Sequence, residues 1–190
     1  MIEVQPSQRM RDLGVVQHGA GILAESAGAF DLPADCSAAT RIVEKLADAM
    51  DRIAQAHDFS GKGMGLAAPQ IGIARAAAAV RPAPGGAEPI VLLNPCIIAA
   101  SEEMDEQYEG CLSFFDVRGM VPRPLRITVE STALDGAIVT TVYERGLARL
   151  IHHEIDHLDG LLYTARMRTG VQPIPVEEYR QTGRAWAYEQ

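Results

Sequence analysis

The sequence has neither an excess of basic residues nor a long apolar run, and each absence excludes a class of function. Its 25 Asp and Glu outnumber its 17 Lys and Arg, which gives a formal net charge of −8. Phosphate binding needs a basic surface, so we expect no direct nucleic acid partner. The longest apolar stretch, PIVLLNPCIIAA (89–100), is interrupted by Asn94 and Pro95 and is shorter than the roughly 18 residues of a membrane helix. We therefore expect no membrane segment.

Cysteine is scarce as well, with only Cys36, Cys96 and Cys111 in the chain. The opening residues, MIEVQPSQRMRDLG, lack a basic region followed by an apolar one, so we expect no secretory signal. An odd number of cysteines without such a signal favours a reducing cytoplasm, where thiols stay free or bind metal. The length of 190 residues is typical of one domain, and we expect a single domain over 1–190.

Two segments have the apolar spacing of helices. The first, 38–57, is predicted to be an amphipathic helix whose apolar side packs in the core, through Val43, Leu46, Ala47, Met50, Ile53 and Ala54. The second runs from Gly146 to Leu158, and Gly160 just beyond it is typical of a helix end. Residues 1–36 are predicted to be a loop-rich arm with one short helix.

Several strands are predicted between these helices. Asp135-Gly136 separates two β-branched stretches and indicates a hairpin. The predicted strands cover 73–81, 90–98 with a break at Asn94-Pro95, 125–131 and 137–144, and a turn is predicted at 82–89. A helix, antiparallel strands and a second helix, in that order, predict an α+β fold.

The stretch RLIHHEIDHLDG (149–160) holds three of the five histidines. At ~100° per residue, His153, His157 and Glu154 share one side of the helix. Two imidazoles one turn apart can bind one metal ion, and this H-E-x-x-H spacing is typical of such sites. Glu154 is then placed to act as a base. His152 falls on the opposite side, with Arg149, Asp156 and Asp159, and is predicted to point away from the metal.

A catalytic metal site needs a third protein ligand. Downstream, Glu177 and Glu178 lie at about the distance of the glutamate in zincin peptidases. Upstream, Cys111 follows Gly110, and a thiolate binds zinc or ferrous iron well. The spacing of residues leaves both choices open.

Three segments together resemble the peptide deformylase family. They are GMGLAAPQIG (63–72), EGCLS (109–113) and HEIDH (153–157), in the order of the family, and the similarity extends over about 40–167. The resemblance implies antiparallel sheets packed around a C-terminal metal-binding helix, with an N-terminal helix outside. It also implies removal of the formyl group from the N-terminal formylmethionine of nascent polypeptides, with release of formate.

The resemblance implies a role for each matching residue. The metal ligands would be Cys111, His153 and His157, and the metal would be Fe²⁺, with Zn²⁺, Ni²⁺ or Co²⁺ as substitutes. Glu154 would be the general base and acid. The side-chain amide of Gln70 and the backbone N–H of Leu112 would face the oxygen that gains negative charge. The substrate would be bound by Gly63, Gly65 and Arg118. A methionine side chain would need an apolar pocket, and Leu150 faces the side of the helix from which it could line one.

Departures from the family leave alternatives open. Arg149 stands where the family is often apolar, and it is expected to narrow or charge the mouth of the substrate pocket. The tail lacks the basic helix with which some members dock on the ribosome, so a ribosome contact would be transient. The alternatives are hydrolysis of another N-formyl or N-acyl substrate, a zincin-like peptidase, and a non-catalytic binder of formylated N-termini.

Overall fold

Four α-helices lie within residues 5–57, 63–83 and 88–184, which the computed structural model describes. They are α1 (Pro6–Asp12), α2 (Cys36–Ala56), α3 (Arg145–Leu158) and α4 (Val176–Gln181). Short 3-10 helices span Gly21–Ala24, Ala68–Ile71 and Tyr163–Arg166. Among the described helices, none combines the length and the apolar character that a membrane crossing needs.

Nine β-strands in the same ranges form three sheets. They are β1 (Met64–Ala67), β2 (Ala77–Arg81), β3 (Ile90–Leu93), β4 (Cys96–Ala100), β5 (Met104–Cys111), β6 (Phe114–Pro124), β7 (Arg126–Thr132), β8 (Ile138–Glu144) and β9 (Ile174–Pro175). The strand orders are β1-β2-β3, β4-β7-β8 and β5-β6-β9, and all of these pairings are antiparallel. The predicted α+β fold with antiparallel sheets is confirmed.

The predicted break at Asn94-Pro95 divides two sheets. β3 ends before it in the first sheet, and β4 begins after it in the second. Asn94 has a φ of 48°, which is uncommon for a residue other than glycine. Its side chain holds this corner, because Oδ1 accepts a hydrogen bond from the N–H of Phe30 at 2.8 Å and Nδ2 donates to the Phe30 carbonyl at 2.9 Å.

The predicted Asp135-Gly136 hairpin joins β7 and β8. Arg126 pairs with Glu144 at one end of the ladder and Thr132 with Ile138 at the other. Of the turn predicted at 82–89, residues 84–87 lie outside the described ranges.

Helix α2 covers the first sheet and starts two residues before the predicted position. Its buried residues are Ala39, Leu46, Ala49, Met50 and Ile53. The predicted stripe was therefore wrong at Ala47 and Ala54, which are exposed. Ala77 and Ala79 of β2 belong to the same core cluster, so small strand residues let the helix lie close to the sheet.

Helix α3 is buried on two sides and carries the H-E-x-x-H sequence through the core. It packs against β1 and β2 of the first sheet and also against β6, β7 and β8. The helix ends as predicted, since Gly160 adopts a φ of 75°. A Cβ at Gly160 would also lie 2.9 Å from the backbone of Ala24 and Glu25, so only glycine fits there.

The long hairpin of β5 and β6 was not among the predicted strands. Its residues from Met104 to Pro124 alternate poorly and include two prolines, at positions 122 and 124. The hairpin lies beside α3, and β5 ends at Cys111, which brings the middle of the sequence to the helix that carries the H-E-x-x-H sequence.

Candidate metal centre

Cys111, His153 and His157 come together in the interior. Their possible ligand atoms all lie within 4.8 Å of one another, and all three residues are buried. The Sγ atom of Cys111 is 3.2 Å from Nε2 of His157. The structure thus brings together the three residues that the resemblance implied as ligands, and this group of described residues includes neither Glu177 nor Glu178.

The backbone around Cys111 is shaped by its glycine neighbour. The β5–β6 register shifts between Glu109 and Cys111. A Cβ on Gly110 would lie 2.6 Å from the Cζ atom of Arg118, so the absence of a side chain makes room for this guanidinium. Arg118 is fixed by donating to the carbonyls of Phe115 at 2.9 Å and Val117 at 2.8 Å.

The ring of His153 is oriented by Glu109, a residue that the sequence interpretation missed. Nδ1 of His153 is 3.0 Å from Oε2 of Glu109. Since a carboxylate only accepts hydrogen bonds, this contact places the proton on Nδ1 and leaves Nε2 free for a metal. Burial by itself would raise the pKa of Glu109, but Arg123 and His153 beside it hold the pKa well below its ordinary value. Glu109 stands in the recognised segment EGCLS, so its position was visible in the sequence.

The surroundings of His157 and Glu154 are those expected beside a bound metal ion. Burial lowers the pKa of His157 well below its ordinary value, which keeps its ring neutral, as ligation requires. Nδ1 of His157 and Oε2 of Glu154 have no hydrogen-bond partner among the described residues. A buried carboxylate oxygen needs a partner, and a water molecule held at a metal would provide one. One thiol, two imidazoles and this carboxylate fit a catalytic metal ion.

Glu154 is 2% exposed and lies on the side of α3 that faces β1. Burial raises its pKa to about 7, against the opposing effect of His153. Gly65 of β1 packs directly on it, since a Cβ there would lie 2.6 Å from Cγ and Cδ of Glu154. The close contact between β1 and the carboxyl group of Glu154 therefore requires glycine at position 65.

Gln70 lies on the other side of the centre with its amide held in one orientation. Oε1 accepts a hydrogen bond from the N–H of Ala67 at 2.8 Å. Nε2 is then directed at Oγ of Ser113, at 3.2 Å, and at Sγ of Cys111, at 3.6 Å. Ser113 is fully buried and was another residue missed from the sequence. The carbonyl of Leu112 accepts from Gln17 at 3.1 Å, and the role expected of the Leu112 N–H stays a prediction.

A cleft of about 710 Å³ opens onto the centre. It is lined by Cys111, His153 and Glu154 and by residues of α1, α4 and the edge strand β1. All four residues predicted to bind substrate line it, namely Gly63, Gly65, Arg118 and Leu150. His57 also lines the cleft, although no sequence pattern assigned it to the site. Its ring meets that of Phe115 edge to face, with 5.3 Å between the ring centroids.

One expectation for α3 agrees with the structure and another needs correction. His152 lies outside the group of ligand residues, and its side chain, 14% exposed, lies 3.8 Å from Asp156. Burial, together with Arg123, lowers the pKa of His152 to about 4. Arg149, expected at the pocket mouth, is 2% exposed and binds Glu109 and Asp105. Residues of β5 and β6 cover the side of the helix that carries Arg149.

The polypeptide deformylase family matches the chain over residues 13–172. The chain belongs to this family. It is 37% identical over 126 residues to peptide deformylase 2 of Nostoc sp., which covers 63% of the chain and 70% of that protein. It is 43% identical over 123 residues to a peptide deformylase of Roseiflexus sp., over 57% of the chain and 66% of that protein.

Solved peptide deformylases share the fold. A class I type b peptide deformylase from Acinetobacter baumannii superposes with a TM-score of 0.69 and 32% identity, over 81% of this chain and 97% of that one. Arabidopsis thaliana peptide deformylase 1B, in complex with an inhibitor, superposes with a TM-score of 0.72 and 29% identity, over 88% of this chain and 86% of that one. Family membership identifies the chain as a hydrolase that removes the formyl group from N-terminal formylmethionine. The alternatives, hydrolysis of another N-formyl or N-acyl substrate and a zincin-like peptidase activity, are not favoured.

Proposed function

We propose that the chain removes the formyl group from nascent polypeptides at a metal ion bound by Cys111, His153 and His157. The observation that carries this proposal is the convergence of these three residues, two of which line one cleft together with the buried Glu154.

The metal is proposed to be Fe²⁺, with Zn²⁺, Ni²⁺ or Co²⁺ as substitutes, because one thiolate and two imidazoles suit all of these ions. A divalent ion bound there would act as a Lewis acid and lower the pKa of water toward neutrality. The protein contributes the buried position and the fixed tautomer of His153, set by Glu109.

Glu154 is proposed to move the proton. Its carboxylate accepts a proton from the water whose oxygen attacks the formyl carbon. When the C–N bond breaks, Glu154 returns this proton to the leaving nitrogen, and the products are formate and a free N-terminal amine. A pKa of about 7 for this buried group suits both steps near neutral pH.

Gln70 is proposed to stabilise the negative charge that develops on the formyl oxygen. Because the N–H of Ala67 fixes Oε1, the amide nitrogen is already directed toward Cys111 and Ser113 before substrate binds. The N–H of Leu112, next to Cys111, is proposed as the second donor.

The edge strand β1 is proposed to hold the peptide. In the described sheet β1 pairs with β2 alone, and its residues Met64 and Gly65 line the cleft together with the preceding Gly63. An extended substrate can add to such an edge as a further strand, with its methionine side chain near Leu150. A related peptide deformylase from Acinetobacter baumannii, 33% identical with a TM-score of 0.65, has a structure with Met-Ala-Ser bound.

The cellular setting follows from the same proposal. Formylated N-termini are exposed during translation, so we propose a cytoplasmic protein that meets nascent chains with at most transient ribosome contact. The family match over 13–172 supports one deformylase-like domain.

Formate release from formyl-Met-Ala-Ser tests the proposal, with the metal content measured on the same anaerobically prepared sample. We expect stoichiometric metal and rapid release of formate. Acetyl-Met-Ala-Ser is the matched control substrate, and its hydrolysis at a similar rate would favour the broader N-acyl activity. A fully metal-loaded protein that released no formate would contradict the proposed reaction, whereas a protein that bound no metal would contradict the proposed centre.

A further inference from the structure

Arg149 is a buried cation one turn before the ligand His153. Its side chain is 2% exposed, and Nη1 donates to Oε1 of Glu109 at 2.6 Å and to the carbonyl of Val121 at 2.9 Å. Nη2 donates to Oδ1 of Asp105 at 2.5 Å. Burying a guanidinium is costly unless its partners are well placed, so this position is defined by specific carboxylates.

Glu109 joins Arg149 to the metal-binding histidine. Its Oε1 accepts from Nε of Arg123 at 2.9 Å and from Arg149, and its Oε2 accepts from Nη2 of Arg123 at 2.9 Å and from His153. Each oxygen thus has two donors. Arg123 holds the carboxylate by a two-pronged contact, and its Nη1 also donates to Asp156 of α3 at 2.6 Å, so one link from Glu109 to α3 passes through Arg123. Arg149 supplies the direct link, because it contacts Glu109 from the same helix as His153.

We propose that Arg149 is a positioning residue for the metal centre: it fixes Glu109 relative to α3, and Glu109 thereby fixes the ring of His153. The inference rests on the proposed metal site. Arg149 does not touch the ligands, so its effect has to pass through Glu109. Partners of metal-binding histidines typically change metal affinity about 10-fold to 100-fold when they are removed.

A purely structural role makes a different prediction. Arg149 also ties α3 to β5 through Asp105 and to β6 through Val121. If these ties were its only function, Arg149→Met would lower the stability of the fold but leave the metal affinity of the folded protein unchanged. Asp105→Asn removes the charge of the β5 contact without touching Glu109 and serves to separate the two roles.

The test is a double-mutant cycle of Arg149→Met and Glu109→Gln, read out by Co²⁺ affinity against a competing chelator and by the Co²⁺ absorption spectrum. We expect Arg149→Met to weaken Co²⁺ binding about 10-fold and to alter the spectrum. In the Glu109→Gln background the same substitution should have less than a threefold effect, because the link is already broken. Asp105→Asn and the distant Arg81→Met should retain the unmodified affinity and spectrum.

Equal loss of affinity in both backgrounds, or no loss in either, would overturn the inference. If Arg149→Met does not fold, Arg149→Lys serves in the cycle, since lysine keeps the charge but cannot reproduce the forked contact. Weaker Co²⁺ binding by the lysine variant would support the inference, and unchanged binding would overturn it. Absence of Co²⁺ binding by the unmodified chain would instead refute the metal site itself.

Discussion

The backbone of Gly65 lies against the carboxyl group of Glu154, with no space between them for a methyl group. A Cβ at Gly65 would come within 2.6 Å of Cγ and Cδ of Glu154. The strand proposed to hold the substrate and the carboxylate proposed to move the proton are thus in direct contact, and a change in one displaces the other.

Gly65→Ala is therefore expected to lower kcat for formyl-Met-Ala-Ser by about 100-fold, since displacement by ~1 Å of a catalytic group has effects of this size. Metal content should be retained, because the three ligands are untouched. Gly21→Ala is the matched control, as the nearest atom to its added methyl is 4.0 Å away. Similar kcat values for the two variants would show that Glu154 tolerates the methyl group.

Cys111→Ser is expected to abolish tight metal binding, because a serine hydroxyl is a much poorer ligand than a thiolate. Metal content after dialysis and formate release are measured together. Cys96→Ser changes an exposed thiol and should leave both unchanged. If Cys111→Ser kept a full complement of tightly bound metal, a zincin-like site that uses Glu177 or Glu178 would be favoured.

Glu154→Gln is expected to keep the metal but to lower kcat by about 10²–10⁴, the usual contribution of a general acid and base. The amide has nearly the same shape and cannot accept the proton. Metal analysis and stopped-flow measurement of formate release separate binding from chemistry. A loss of metal on this substitution would identify Glu154 as a ligand and would contradict the proposed role.

Asp156→Ala is expected to destabilise the metal-free protein by about 3–5 kcal/mol, because it leaves Arg123 buried with one partner fewer. Arg123 donates to Asp156 at 2.6 Å, and both side chains are 1% exposed. Asp51→Ala breaks the exposed pair with Arg81 and should cost no more than about 1 kcal/mol. Urea unfolding of both variants measures the difference, and equal losses would mean that the buried pair adds little.

The features that follow local rules were predictable from the sequence. The spacing of His153 and His157, the glycine at position 160 and the Asp135-Gly136 turn each depend on residues within one turn or hairpin. These local patterns predicted α3 and the β7–β8 hairpin within one or two residues. The resemblance to deformylases then supplied Cys111, which is 42 residues from His153 in the sequence.

The buried charges were not predictable in the same way. Arg149 and Asp156 look like the solvent side of an amphipathic helix, because their partners Glu109 and Arg123 are 40 and 33 residues away. A helical wheel contains no information on what covers each side. The β5–β6 hairpin that supplies these partners has a weak strand pattern, so its charged residues appeared exposed until the tertiary contacts were known.

The open side of β1 has one more consequence. A strand edge that can accept a peptide can also accept the backbone of any unfolded chain, and exposed edges of this kind promote aggregation. Here all four residues of β1 are buried, and the edge lines a cleft that residues of α1 and α4 also line. A buried edge of this kind is expected to admit an extended chain terminus and to limit self-association through the same surface.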